Sequence, residues 1–131
     1  MLVFDTNIWV SYALTPESKT AILVKSALEN HPFAFSEATF TELTEVLLRE
    51  KFDPYVSKEG RIAFLKELSS KAEWYATKAI ATECRDKNDN KFLDLARTCA
   101  ADYLITGDND LLVLSVYEKT PILTLADFAE I

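Results

Sequence analysis

Met1-Leu2-Val3-Phe4-Asp5-Thr6-Asn7 decides the reading of this chain: a short apolar run ends abruptly on a carboxylate. The arrangement returns at Tyr103-Leu104-Ile105-Thr106-Gly107-Asp108. Short apolar runs bounded by polar residues read as buried parallel strands. In open α/β sheets, ligands bind beyond the carboxyl ends of the strands. Two strands that each deliver an aspartate to that edge can place both carboxylates in one site. Converging carboxylates repel unless one takes up a proton or a cation lies between them. The motif therefore points to a metal site.

Between these two runs, helical and strand patterns alternate. Residues 18–28 read as an amphipathic helix with Ala21, Leu23, Val24, Ala27 and Leu28 on the apolar side and Ser18 as its cap. Phe33-Ala34-Phe35-Ser36 reads as a second strand, and a helix runs from Thr39 to about Glu50. Asp53-Pro54 is a turn, and Ser57 to about Ala72 a further helix. Trp74 to Thr77 is extended, and Asp86 to Asn90 forms a polar loop. The remainder reads as a helix from Lys91 to about Ala100, a strand at Tyr103–Thr106, a short helix at Asn109–Leu114, a strand at Pro121–Thr124 and a helical stub from Ala126. Such alternation predicts a parallel sheet covered by helices on both faces.

The chain's 131 residues suit a single domain, residues 1–131, with a sizeable core. Two glycines and four prolines argue against a turn-rich β-sandwich. No apolar run approaches the roughly 18 residues of a membrane span, and the start lacks the pattern of a signal peptide. Cys84 and Cys99 are too few for a disulfide scaffold, so the expectation is a reduced, cytoplasmic protein. The formal charge of −7 disfavours a broad basic face for nucleic acid. It still allows an enzyme whose acids hold metal ions that meet the phosphates, and it leaves room for a basic protein partner.

Four positions carry the candidate chemistry. Asp5 follows a buried strand and precedes the short polar Thr6 and Asn7; its competing role is a helix or turn cap. Glu42 borders the apolar face of its helix, with Val46 one turn on, while Glu45 and Glu50 are competing acids. Asp86, Asp89 and Asn90 crowd one helix start, with Asp94 a turn beyond; capping accounts for one of them, not the cluster. Asp108 follows Thr106-Gly107 at a strand end and could also cap the next helix. His31, the single histidine, lies beside Pro32 with no Ser or Cys constellation around it. Oxygen ligands without a Cys/His cluster suit Mg²⁺ or Mn²⁺, and the chemistry that follows is metal-assisted phosphodiester hydrolysis.

Asp5-Thr6-Asn7 after a first strand, Ser36 six residues before Glu42, the acidic helix start and Thr106-Gly107-Asp108 together resemble the PIN domain. The stretches Asp86–Ala96 and Ala101–Asp108 are similar to one branch in particular, the toxin components of prokaryotic toxin–antitoxin systems related to the VapC toxins. The resemblance implies a three-layer α/β/α sandwich around a central parallel sheet of about five strands. It implies a Mg²⁺- or Mn²⁺-dependent endoribonuclease acting on an RNA substrate, a homodimer, and an antitoxin protein as partner. By the same resemblance Asp5, Glu42 and Asp108 match the first, second and fourth family acids. The third falls on Asn90 when counted back from Thr106, and on Asp89 when the helix is aligned through Phe92 and Ala96. Asp89 is taken as the third acid, Asn90 as a polar helper and Asp94 as the reserve. Asp5, Glu42, Asp89 and Asp108 would then ligate metal, with Glu42 acting directly or through water. Thr6, Asn7, Ser36 and Thr106 would support the shell.

Two other classes stand beside this reading. One is a phosphoryl-transfer domain with Asp5 as nucleophile, which lacks the expected strand-terminal Lys and has Asn7 where a second Asp would stand. The other is a non-catalytic PIN-like module that binds RNA or protein. Lys25, Arg49, Lys51, Arg61, Lys87, Lys91 and Arg97 are candidates for an RNA path.

Overall fold

The computed structural model describes all residues from Met1 to Ile131. Its elements run β1 (Leu2–Phe4), α1 (Thr6–Leu14), α2 (Lys19–Asn30), β2 (Ala34–Phe35), α3 (Glu37–Leu47), α4 (Lys58–Lys71) and β3 (Glu73–Trp74), followed by α5 (Asn90–Thr98), β4 (Tyr103–Ile105), α6 (Asn109–Leu112), β5 (Val116–Tyr117), β6 (Thr120–Leu123) and α7 (Leu125–Ala129). Single 3₁₀ turns occupy Glu50–Phe52 and Lys87–Asp89.

β1 pairs in parallel with β4, and β4 with β6. β2 pairs in parallel with β3 and reaches β1 through a bridge between Leu2 and Phe33. The order across the sheet is thus β3-β2-β1-β4-β6-β5, five parallel strands with β5 antiparallel at one edge. The fold is the expected α/β arrangement. Its layering follows from side-chain alternation along each strand. Leu2, Phe4 and Ile105 enter one core with residues of α1, α2, α3, α4 and α7, while Val3 and Leu104 enter a second core with residues of α5 and α6. Trp9 anchors the first core, its ring 4.9 Å from Phe4 and 5.2 Å from Phe33.

Two elements depart from the sequence expectation. α1 begins directly after Asp5 and has no sequence signal of its own, because Ile8, Trp9, Val10, Tyr12, Ala13 and Leu14 are apolar nearly all the way round. β5 forms a hairpin with β6 whose turn places Glu118 at φ 52°, without the Gly or Asn that would announce it. Ser36 starts α3 two residues earlier than expected: its hydroxyl accepts from the Thr39 N–H, and the Thr39 hydroxyl accepts from the Ser36 N–H. No helix is long and apolar enough to cross a membrane. Both cysteines are free thiols.

Candidate active site

Asp5 sits where β1 becomes α1. Its backbone N–H donates to the Ile105 carbonyl at 3.0 Å, which holds the turn against the end of β4. Asp5 Oδ1 accepts from the Asn7 N–H at 3.1 Å, as a helix cap does. Oδ2 accepts the Thr106 hydroxyl at 2.6 Å. The same Thr106 oxygen accepts the Asp108 N–H at 3.0 Å, so one buried threonine joins both strand ends. Asp108 in turn caps α6, its Oδ1 accepting the Asp110 N–H at 2.9 Å. For both aspartates the cap and the site coexist, since a carboxylate has two oxygens and a cap engages one.

Asp89 behaves differently. It stands at the N-terminus of α5 and makes no capping bond there, while Asp86 caps the preceding 3₁₀ turn through the Asn88 N–H. Its side chain is buried beside Asp108, and its Oδ2 has no hydrogen-bond partner. Glu42, on α3, is half-buried across the cleft. Its Oε2 accepts the Thr6 hydroxyl, and its Oε1 accepts Asn88 Nδ2 at 2.8 Å and Lys91 Nζ at 2.9 Å.

These surroundings set the charges. Burial pushes the Asp89 carboxyl up to about 8, helped by the adjoining Asp108 carboxyl and by the charges of Asp86 and Asp5. Burial also raises Asp5, partly countered by the Thr106 and Asn7 hydrogen bonds. For Glu42, burial pushes upward, but Thr6, Lys91 and Asn88 outweigh it and hold the carboxyl below its ordinary value. A proton on Asp89 thus relieves repulsion that a cation would otherwise relieve. As they stand, no three His, Cys, Asp or Glu side chains are gathered tightly enough to hold an ion. The donor set nonetheless fits a hard divalent cation: all the donors are oxygens, two of the carboxyls are raised by burial and by the charge of neighbouring acids, and one buried oxygen faces no partner.

The structure therefore brings Asp5, Asp89, Asp108 and Glu42 to one sheet edge, with Thr6 and Thr106 bonded to two of them. Ser36 acts at one remove by capping the helix that carries Glu42. Asn7 contributes its backbone N–H, its residue being exposed. Asn90 and Asp94 are corrected. Asn90 Oδ1 accepts the Cys84 N–H, and Asp94 Oδ1 accepts the Ile80 and Ala81 N–H groups and Arg97. Both fasten the irregular strap of residues 75–86 to α5, because positions 90 and 94 lie one turn apart on the same helix face. His31 lies elsewhere, its ring packed against Phe128. Sequence reading missed the bonds of Asn88 and Lys91 to Glu42. The only sequence signal was their three-residue spacing at one helix start.

The acids thus meet beyond the carboxyl edge of a parallel α/β sheet, where open sheets of this kind bind their ligands. A family model described as the PIN domain matches residues 1–110, and the chain belongs to that family. PIN domains are in general nucleases that use divalent metal ions. The chain is also similar to the uncharacterized protein MJ1680 of Methanocaldococcus jannaschii, with 30% identity over 115 residues covering 86% of this chain and 74% of that one.

Proposed function

We propose that this protein is a Mg²⁺- or Mn²⁺-dependent endoribonuclease and the toxin of a toxin–antitoxin pair. The observation that carries the reading is the meeting of buried Asp5 and Asp89 with the half-buried Asp108, one carboxylate oxygen of Asp89 being partnerless. Asp5, Asp89 and Asp108 would hold the ion, with Glu42 bound directly or through water. When bound, the ion lowers the pKa of an attacking water and offsets charge on the phosphoryl group. Glu42, kept ionised by Thr6, Asn88 and Lys91, accepts a proton from that water or orients it. Thr106 fixes the Asp5 carboxylate relative to the Asp108 backbone. A cytoplasmic homodimer held in check by a basic antitoxin fits the net charge of −7 and exposed apolar side chains such as Ile22, Tyr55 and Trp74.

A second reading, a non-catalytic RNA- or protein-binding PIN module, is favoured by one observation: Lys91 already neutralises Glu42, and no three acids are gathered around a point. RNA degradation by wild type and Asp5→Ala, each with Mg²⁺, Mn²⁺ or EDTA, separates the two. The nuclease reading expects cleavage by the metal-loaded wild type alone. Equal cleavage by both proteins, or cleavage that survives EDTA, overturns it. RNA binding without turnover supports the module.

A further inference from the structure

We infer that the Lys91 ammonium takes the place of a second metal ion at Glu42, so that the acid edge binds a single divalent ion, on Asp5, Asp89 and Asp108. Lys91 is thus a positioning residue: it holds Glu42 off the ion and leaves it to bond the ion's water. This rests on the metal-dependent nuclease reading, in which Glu42 meets the ion directly or through water. A carboxylate offers about four lone-pair directions, two on each oxygen. Both on Glu42 Oε1 are taken, by Asn88 Nδ2 at 2.8 Å and Lys91 Nζ at 2.9 Å. One on Oε2 is taken by the Thr6 hydroxyl. What remains is one acceptor direction on Oε2, which suits a hydrogen bond from water.

The ammonium is itself held. Lys91 Nζ also donates to Asn88 Oδ1 at 2.9 Å, which closes a ring of Lys91, Asn88 and Glu42. Both charged side chains are only 18% exposed, so solvent and salt screen the pair weakly. It ties α3 to α5 across 49 positions of chain. The only other ion pair with both partners so covered, Arg97 with Asp94, lies within one helix. Asp89 stands between Asn88 and Lys91 in sequence, yet it lies beside Asp108 while they reach Glu42. None of the chain's ion pairs involves Asp5, Asp89 or Asp108. The charge deficit is thereby confined to the three aspartates, where one carboxylate oxygen has no partner. One divalent ion corrects it. A second ion at Glu42 would have to displace the ammonium or stand beside it, and like charges at contact distance repel.

The test is a Mn²⁺ titration followed through the EPR signal of the unbound ion, with thermal melts of the same samples, for wild type, Lys91→Met, Lys91→Arg, Glu42→Gln and Asp89→Asn. Wild type is expected to bind one ion. Glu42→Gln should also bind one, with Kd raised by less than about tenfold, the low end of what an indirect partner of a metal contributes. Asp89→Asn, which alters a direct ligand, should weaken binding more. Lys91→Met frees the Glu42 carboxylate and should admit a second ion, and Lys91→Arg should return the count to one. Two ions on a wild type that cleaves RNA overturn the inference and leave the nuclease reading standing. Loss of Mn²⁺ by Glu42→Gln also overturns it, and decides the matter even if Lys91→Met does not fold. A folded Lys91→Met that still binds one ion overturns the role given to the ammonium. One ion on a wild type that leaves RNA intact overturns the nuclease reading and leaves the charge assignment. A wild type that binds no Mn²⁺ overturns both.

Discussion

At the corner between α3 and α4, Arg61 is wholly buried and each of its three nitrogens is bonded: Nε to the Val56 carbonyl, Nη1 to the carbonyls of Leu47 and Arg49, Nη2 to the Asp53 carboxylate. At the acid edge, Asp89 is also buried, yet one of its oxygens has no partner and its neighbours are like charges. The first arrangement gives every nitrogen a partner and fastens the 3₁₀ turn between the helices. The second leaves a deficit that only a proton or a cation corrects. Buried charge that is fully bonded belongs to the fold, whereas buried charge left incomplete is poised for a ligand.

Substitutions at the two places should therefore separate activity from stability. Asp5→Ala is expected to abolish metal-stimulated RNA cleavage while changing unfolding free energy by no more than about 1 kcal/mol, the worth of one cap. Parallel cleavage assays and urea melts check it, and an active variant would erase the contrast. Arg61→Ala is expected to do the reverse, costing about 3 kcal/mol as buried carbonyls lose their donor, with residual cleavage in whatever fraction remains folded. If Arg61→Ala melts like wild type, the guanidinium is not the fastening this comparison makes it.

A third prediction sharpens the acid edge through pH. Asp89 holds its proton in the fold up to about 8, against an ordinary value of 3.8, so the folded chain binds a proton that the unfolded chain has released. Metal-free stability should consequently fall as pH rises from the ordinary carboxylate range through about 8. Mn²⁺ competes with that proton, so its increase in Tm should be larger at pH about 8 than at about 6. Asp89→Asn should flatten this pH dependence and reduce the Mn²⁺ effect in thermal melts. The smallest effect is expected at Asn90→Ala, which frees the Cys84 N–H and should cost about 1 kcal/mol. Hydrogen exchange should localise that loosening to the strap, and a uniform change across the sheet would contradict it.

Much of this site was legible in the chain because its chemistry is local. Asp5 and Asp108 each follow an apolar strand, and a strand end in a parallel sheet is already an address. Glu42 was legible through its apolar helical neighbours and its six-residue spacing from Ser36. The third acid was not, because Asp86, Asp89, Asn90 and Asp94 all suit a helix start equally well by composition. α1 escaped notice for a related reason: nearly uniform apolarity leaves no period to read, although Trp9 makes it the centre of the larger core.

The sequence by itself determined that strands alternate with helices, that acids terminate two of those strands, and that no Cys/His cluster competes for a metal. Each of these is written in neighbouring residues. Only the tertiary structure decided that Asp89 joins the acids while Asn90 and Asp94 hold the strap, since that depends on how α5 is rotated between the sheet and residues 75–86. It alone decided that Lys91 and Asn88 meet Glu42, more than forty positions away in the chain. Such pairings arise from packing across the sheet edge, and no periodicity within a single element encodes them.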